Sequence, residues 1–339
     1  MQRGTEYSEI LIIIISLLIL LVFPLGEFFP IKVYSQIPYL PNQQQQQQMQ
    51  LPRNEKNQGA IFNGGNINNN TNNNNNNKNR VAIITFGDGW KSEYTTAKPI
   101  LDKYGFKASY FIPCNYPDLK HTAMTWQDIA ALHNDGMDIG SKGMNDILVT
   151  DLSASALDFE IGQSKQCFYN HGIDAIAFAT PHGEGSNNAT VIDTIAKYYD
   201  FAINGHSNLM FLHCDGWKQY STQTDCRTFD DSGQVTFANR YVIREWAHNG
   251  RDTADFHNDT QIFPQFVQEV NSQTKYNSNG TINAIPILAY HKIDDQGTPE
   301  STDIALFDAE MKYLHDSGVR VITLSDLGYD ENSNSLYIK

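Results

Sequence analysis

A run of β-favouring, mostly apolar residues, Val81 to Phe86, ends abruptly at Gly87, Asp88 and Gly89, and no other segment constrains the fold of this chain as much. Such a run predicts a strand with a buried middle that delivers Asp88 to its carboxyl end. In α/β folds that rim is where chemistry sits. The two glycines permit sharp turns and the close approach of a ligand. A plain strand closed by an Asp-Gly turn gives the same pattern without a site.

Downstream, strands and helices alternate. The spacing predicts helices over Thr95 to Tyr104, Thr125 to Asn134 and Ser153 to Tyr169, the second opened by a loose capping box of Thr125 and Asp128. Further helices are expected near Ala189 to Tyr199, Gln261 to Val270 and Asp303 to His315. Strands are expected at Ala108 to Ile112, Met137 to Gly140, Ile176 to Phe178, Phe201 to Ile203, Ile285 to Ala289 and Val319 to Thr323. Strands separated by helical patterns mean parallel βαβ units. Residues 206–239 break the rhythm with Gly, Ser, Thr and Asp and read as a surface insertion.

The first 79 residues do not belong to that domain. Ile10 to Phe23 is an Ile/Leu run interrupted by Ser16 and closed by Pro24 and Gly26. Its length suits a signal-peptide core of about 7–15 apolar residues better than a membrane span of about 20. Residues 1–35 are therefore a signal peptide or, uncleaved, a short anchor that makes the only membrane contact. Both readings export the remainder to the cell surface or beyond. Residues 36–79 hold a glutamine run and then an asparagine run, a composition that cannot offset the entropy of ordering and reads as a disordered tether.

Cys114, Cys167, Cys214 and Cys226 are even in number, which in an exported chain favours disulfides. Cys214 and Cys226, flanking a short polar loop, are the first expected pair, with buried free thiols as the alternative. Asn69, Asn188, Asn258 and Asn279 each open a glycosylation sequon. The formal net charge of −14 argues against nucleic acid, which needs clustered Lys and Arg.

The segment Thr85, Phe86, Gly87, Asp88, Gly89 resembles the first motif of the polysaccharide deacetylase (NodB-homology, carbohydrate esterase family 4) family, Thr-Phe-Asp-Asp-Gly. The stretch from Asp138 to Asp146 resembles the second motif, and Phe178 to Gly183 the third, Arg-x-Pro-x-Gly, with Pro181 and Gly183 in place. Ile287 to His291 resembles the motif that supplies an apolar pocket residue and a His general acid, which makes Leu288, Tyr290 and His291 site candidates. The resemblance covers about Arg80 to the C-terminus, so residues 80–339 are expected to form a distorted (β/α) barrel. It implies a divalent metal, zinc foremost, and an N-acetylated polysaccharide as partner.

Carried over residue by residue, the family's pattern is incomplete. Asp88 takes a metal-ligand position, Gly87 stands where the base belongs, Lys142 and Asp146 stand where two His ligands belong, and Ala179 replaces the motif's Arg. A catalytic zinc needs three protein ligands and an open position for water. An ammonium group has no lone pair to give, so Lys142 is expected to sit between Asp88 and Asp146 as a built-in cation replacing the metal. The opposite reading completes a metal site with another His, foremost His182 and otherwise His206. Losing base and Arg together avoids an unpaired buried charge. Asp215 and Glu184 are possible substitute bases. Trp90 and Trp217, at loop positions, are candidate sugar-stacking faces, whereas Trp126 at a helix start reads as core.

The first functional reading is therefore an exported hydrolase acting on the N-acetyl, non-peptide amide groups of a glycan, with a degenerate catalytic site. The alternative is a non-catalytic carbohydrate-binding surface protein. A third reading is a structural envelope component in which the barrel serves as a spacer.

Overall fold

Alternate residues of Val81–Gly87 face opposite ways and both sets are apolar, so the strand is buried on both faces. The computed structural model describes residues 79–185, 188–206, 209–212, 238–248, 259–278, 280–333 and 335–339. The expected signal or anchor segment, the Gln/Asn tether up to residue 78, nearly all of the insertion, and the sequons at Asn69, Asn258 and Asn279 lie outside these residues. Among the described residues no helix is long and apolar enough to cross a membrane.

Seven parallel strands form a ring: β1 (Val81–Gly87), β2 (Ser109–Ile112), β3 (Asp138–Ser141), β4 (Ala177–Ala179), β5 (Phe201–His206), β6 (Ile243–Ala247) and β7 (Ile287–Tyr290). They pair in chain order, and β7 pairs back onto β1 from Ile83↔Ile287 to Phe86↔Tyr290, which closes the barrel. An eighth strand, β8 (Arg320–Ile322), adds in parallel to the first half of β1. This is the expected distorted (β/α) barrel.

The period of two sorts the core into two layers. Val81, Ile83, Phe111, Ala177, Ala179, Ile203, Ile243 and Ile287 fill the barrel interior. Ile84, Phe86, Tyr110, Ile112, Leu288 and Tyr290 point outward and pack beneath the helices, against residues such as Phe307 and Met311. Gly140 is the close-packed point of the interior, because a Cβ there would lie 2.5 Å from the Phe111 ring.

The helices follow the sequence signals. Lys98–Tyr104 is preceded by one wide turn, Glu93–Ala97, and stops at Gly105, whose φ of 71° suits glycine. Thr125 caps Trp126–Asn134 through a full capping box with Asp128. Ser153 caps Ala154–Asp158, which continues through Phe159–Gln163 into Ser164–Asn170. Ala189–Ala196, Asp259–Ser272 and Ile304–Asp316 complete the set. The sequence reading missed β6: Ile-Arg-Glu-Trp-Ala carries only one aliphatic residue at its inward positions before the barrel mouth, so it shows no apolar run.

Two of the four cysteines lie among the described residues, and they pair with each other. Cys114 is disulfide-bonded to Cys167, tying the turn after β2 to the helix Ser164–Asn170. Cys214 and Cys226 lie outside the described residues.

Candidate functional site

The carboxyl ends of β1, β3, β6 and β7 meet at one mouth of the barrel. Asp88 directly follows β1 and is 7% exposed, and Lys142 directly follows β3 and is 7% exposed. The Lys142 ammonium donates to Asp88 Oδ1 and lies 3.7 Å from Asp146 Oδ1. His291, directly after β7, holds Nε2 3.9 Å from Asp88 Oδ2. Trp90 Nε1 donates to Asp88 Oδ2 at 3.4 Å, and Tyr116 donates to Asp146 Oδ2 at 3.4 Å.

Backbone conformation marks the same residues. Among the described residues, the non-glycine positions with positive φ are Asp88 (82°), Asp146 (54°) and His182 (60°). Left-handed backbone is unfavourable for a residue with a side chain and concentrates at functional sites. All three were ligand candidates.

Two supports hold the mouth. The segment 142–145 is hydrogen-bonded along the turn after β2, through Lys142 N to Ile112 O, Cys114 N to Gly143 O and Asn115 N to Met144 O. Buried Glu160 accepts from the backbone N–H groups of Met144 and Asn145 at 3.1 and 3.0 Å and from Asn145 Nδ2 at 2.6 Å. On the other side, Glu93 is fully buried and accepts from Trp90 N at 2.9 Å. Burial pushes the Glu93 carboxyl well above its ordinary range.

Charge explains why Lys142 is stable there. Burial opposes the ammonium, but Asp88 and then Asp146 outweigh it and raise the Lys142 pKa above its ordinary value. Burial likewise opposes ionised Asp88, and Lys142 with His291 overcomes it and holds the carboxyl below the usual range. Asp146, farther from the ammonium, stays raised by burial despite Lys142. His182 is exposed at the tip of a one-turn helix, Pro181–Gly183, and its field favours the Asp146 carboxylate.

These residues do not fit a divalent metal. The ammonium of Lys142 already occupies the lone pairs of Asp88 that would face such an ion, and it brings a positive charge to the same place. Among the described residues no group of three or more His, Cys, Asp and Glu side chains is disposed to hold a metal ion. The expected zinc therefore finds no donor set among the described residues.

The missing base leaves no hole. A Cβ built on Gly87 would lie 3.3 Å from Cδ2 and Nε2 of His291 and 3.5 Å from Lys142 Nζ. The structure supplies a carboxylate the sequence reading did not single out: Glu245 on β6 points into the barrel, partly accessible, and accepts from Thr85 Oγ1 at 3.0 Å. Burial raises its pKa to about 7, with Thr85 and Lys142 pulling the other way. The only sequence signal for it was period-two placement within a strand that had itself escaped notice.

Residues 74–201 match the sequence profile of the polysaccharide deacetylase family. The matched segment runs from just before β1 to the start of β5. A Bacillus subtilis (strain 168) protein named as a putative polysaccharide deacetylase, YxkH, is 30% identical over 91 residues, covering 27% of this chain and 32% of that protein. The match thus spans about a third of that relative's length. Among solved structures, the Xyl-CE4 domain of a multidomain xylanase from the hindgut metagenome of Trinervitermes trinervoides is similar at 15% identity and a TM-score of 0.46, over 73% of this chain and 88% of that one. A family 4 carbohydrate esterase from Streptomyces lividans in complex with acetate is similar at 16% identity and a TM-score of 0.44, over 72% and 92% of the two chains.

Within this barrel, other candidates fall outside the mouth. Leu288 and Tyr290 are fully buried on the helix side of β7, because alternation turns Ala289 and His291 inward and those two outward. Tyr290 donates instead to Glu310 Oε2 at 2.8 Å, and His248 Nε2 bonds Glu310 Oε1 at 2.6 Å. Neither can line a sugar pocket. Trp90 remains at the rim, with the Lys292 ammonium 4.0 Å from its ring. Trp126 stacks on His171 at 3.5 Å and packs edge-on against Phe168, as expected for a packing residue. Asp215 and Trp217 lie outside the described residues.

Proposed function

We propose that this chain is an exported, glycan-directed hydrolase of the polysaccharide deacetylase family in which the Lys142 ammonium does the electrostatic work of a divalent metal. The observation that carries it is the buried Lys142–Asp88 pair, with Asp146 at 3.7 Å from the ammonium and His291 at 3.9 Å from Asp88, at the end of the barrel where relatives of this fold class do their chemistry. An N-acetylated polysaccharide is the substrate the family suggests. Export is supported by the apolar segment Ile10 to Phe23 and by the Cys114–Cys167 disulfide, a bond of oxidising compartments.

Amide hydrolysis needs charge stabilisation at the carbonyl oxygen and a proton for the leaving amine. Lys142 suits the first task and His291 the second. The test is acetate release from N-acetylglucosamine oligomers by the full chain, with and without EDTA. Release that survives EDTA and disappears in Lys142→Met and His291→Ala supports the proposal. Release abolished by EDTA refutes the role given to Lys142.

A second reading, glycan binding without hydrolysis, is favoured by Gly87 and Ala179, which leave the mouth without the family's base and its Arg. Under it, oligomers bind in calorimetry, no acetate appears, and His291→Ala leaves affinity unchanged.

A further inference from the structure

The losses at Gly87 and Ala179 leave a hydrolase without a proton acceptor, unless another carboxylate reaches the same space. We infer that Glu245 is that acceptor, the general base of this site, reaching it from β6; the inference rests on the hydrolase reading above.

Three placements support it. Thr85 and Gly87 share the inward face of β1, two residues apart, and the Thr85 hydroxyl donates to Glu245 Oε2 at 3.0 Å. The carboxyl group therefore lies beside Thr85, one inward position before Gly87, a step of about 7 Å along β1. The Gly87 position is itself ringed by His291 at 3.3 Å and Lys142 at 3.5 Å from a built Cβ. The charges of Lys142 and Asp88 both act on the Glu245 carboxyl, the first lowering and the second raising its pKa.

The groups that bear on Glu245 are Thr85 from β1, Asp88 just beyond it and Lys142 after β3, with His206 of β5 as its cross-strand partner. Burial brings the carboxyl to about 7, where a general base is most effective near neutral pH.

In the assigned step, a water gives one proton to a Glu245 oxygen while its own oxygen bonds to the acetyl carbonyl carbon. The carbonyl π pair moves onto the oxygen facing Lys142. Collapse reforms the C=O bond and breaks C–N, and the sugar nitrogen takes a proton from the His291 imidazolium. Acetic acid and the free amine leave, and the proton on Glu245 returns through solvent to recharge His291.

The test compares the full-length parent, Glu245→Gln and Thr85→Val in acetate release from N-acetylglucosamine tetramer across pH 5–9, with thermal melts to confirm folding. Glu245→Gln is expected to lower kcat by about 100-fold or more, within the usual reach of general-base catalysis, with little change in KM. It should also remove the acidic limb of the pH profile. Thr85→Val, which takes away a hydrogen bond to the carboxylate, should move that limb to higher pH. An active parent with an equally active Glu245→Gln overturns the role of Glu245 and leaves the hydrolase reading standing. An inactive parent overturns both.

Discussion

Replacing Lys142 with Met keeps most of the side-chain volume and removes the ammonium that contacts buried Asp88. Asp88 would retain the Trp90 indole N–H at 3.4 Å and His291 at 3.9 Å. Breaking a buried ion pair by deleting one partner costs roughly 3–5 kcal/mol. A second route to the magnitude gives the same range, because an unpaired Asp88 escapes its burial cost by taking up a proton. Holding a carboxyl of ordinary pKa, about 3.9, protonated at pH 7 costs about 4 kcal/mol, and at pH 4.5 only about 1 kcal/mol.

The sign differs between the two proteins. In the parent, the folded-state pKa of Asp88 is depressed, so its contribution is full above the unfolded value near 4 and is lost as pH falls through the folded value. The raised pKa of Lys142 makes its contribution full below about 10 and lost only above that, outside the window. In the variant, burial without the cation lifts Asp88 above its unfolded value, so stability grows on acidification from pH 7 to 4.5. Urea unfolding followed by tryptophan fluorescence should show a deficit of about 4 kcal/mol at pH 7 that shrinks to about 1 kcal/mol at pH 4.5. Adding Asp88→Asn should restore most of the loss, with a coupling of about 2 kcal/mol or more. A deficit under about 1 kcal/mol at pH 7, or one that does not shrink, refutes the assignment of Lys142 as the charge that neutralises Asp88.

Other outcomes follow from the same geometry. Lys142→His exchanges the cation for a nitrogen donor between Asp88 and Asp146, and elemental mass spectrometry after zinc equilibration should find metal in the variant and none in the parent; equal loading of both contradicts a built-in cation. Cys167→Ser opens a closure spanning 53 residues of sequence, for which chain entropy suggests about 4 kcal/mol, read as a lower urea midpoint; an unchanged midpoint would show that the bond does not constrain the unfolded chain.

Most of the barrel was legible because its strands are short apolar runs set between helical periods, and Gly105, Thr125 and Ser153 punctuate it where expected. The position of Lys142 between two acids was legible too, from charges at three motif positions. What escaped was everything that depends on which face of a strand points inward at the rim. Leu288 and Tyr290 share a motif with His291, yet only an odd-numbered residue of β7 can enter the barrel. Glu245 sits in a strand whose rim half is charged and aromatic, the pattern of a site lining and equally of a surface loop. Thr85, which touches it, reads in sequence as an ordinary β-branched strand residue.

The interplay of Gly87 and Lys142 makes one last outcome decisive. Gly87→Asp returns a carboxylate to β1, but its Cβ arrives 3.3 Å from the His291 ring, closer than most Cβ contacts, so the imidazole must shift by a few tenths of an ångström. Lys142 Nζ lies 3.5 Å from the same Cβ and would pair with the introduced carboxylate, sharing its charge between that group and Asp88. The single substitution should therefore cost only about 1–2 kcal/mol in urea unfolding at pH 7, most of it from the crowded imidazole. In a Lys142→Met background the same change places two adjacent carboxylates at the buried mouth without the ammonium, and the extra cost should rise to about 3 kcal/mol or more. Equal costs in the two backgrounds would mean that the ammonium does not reach the Gly87 position, and the space assigned to the reacting water would then have to be sought elsewhere in the mouth.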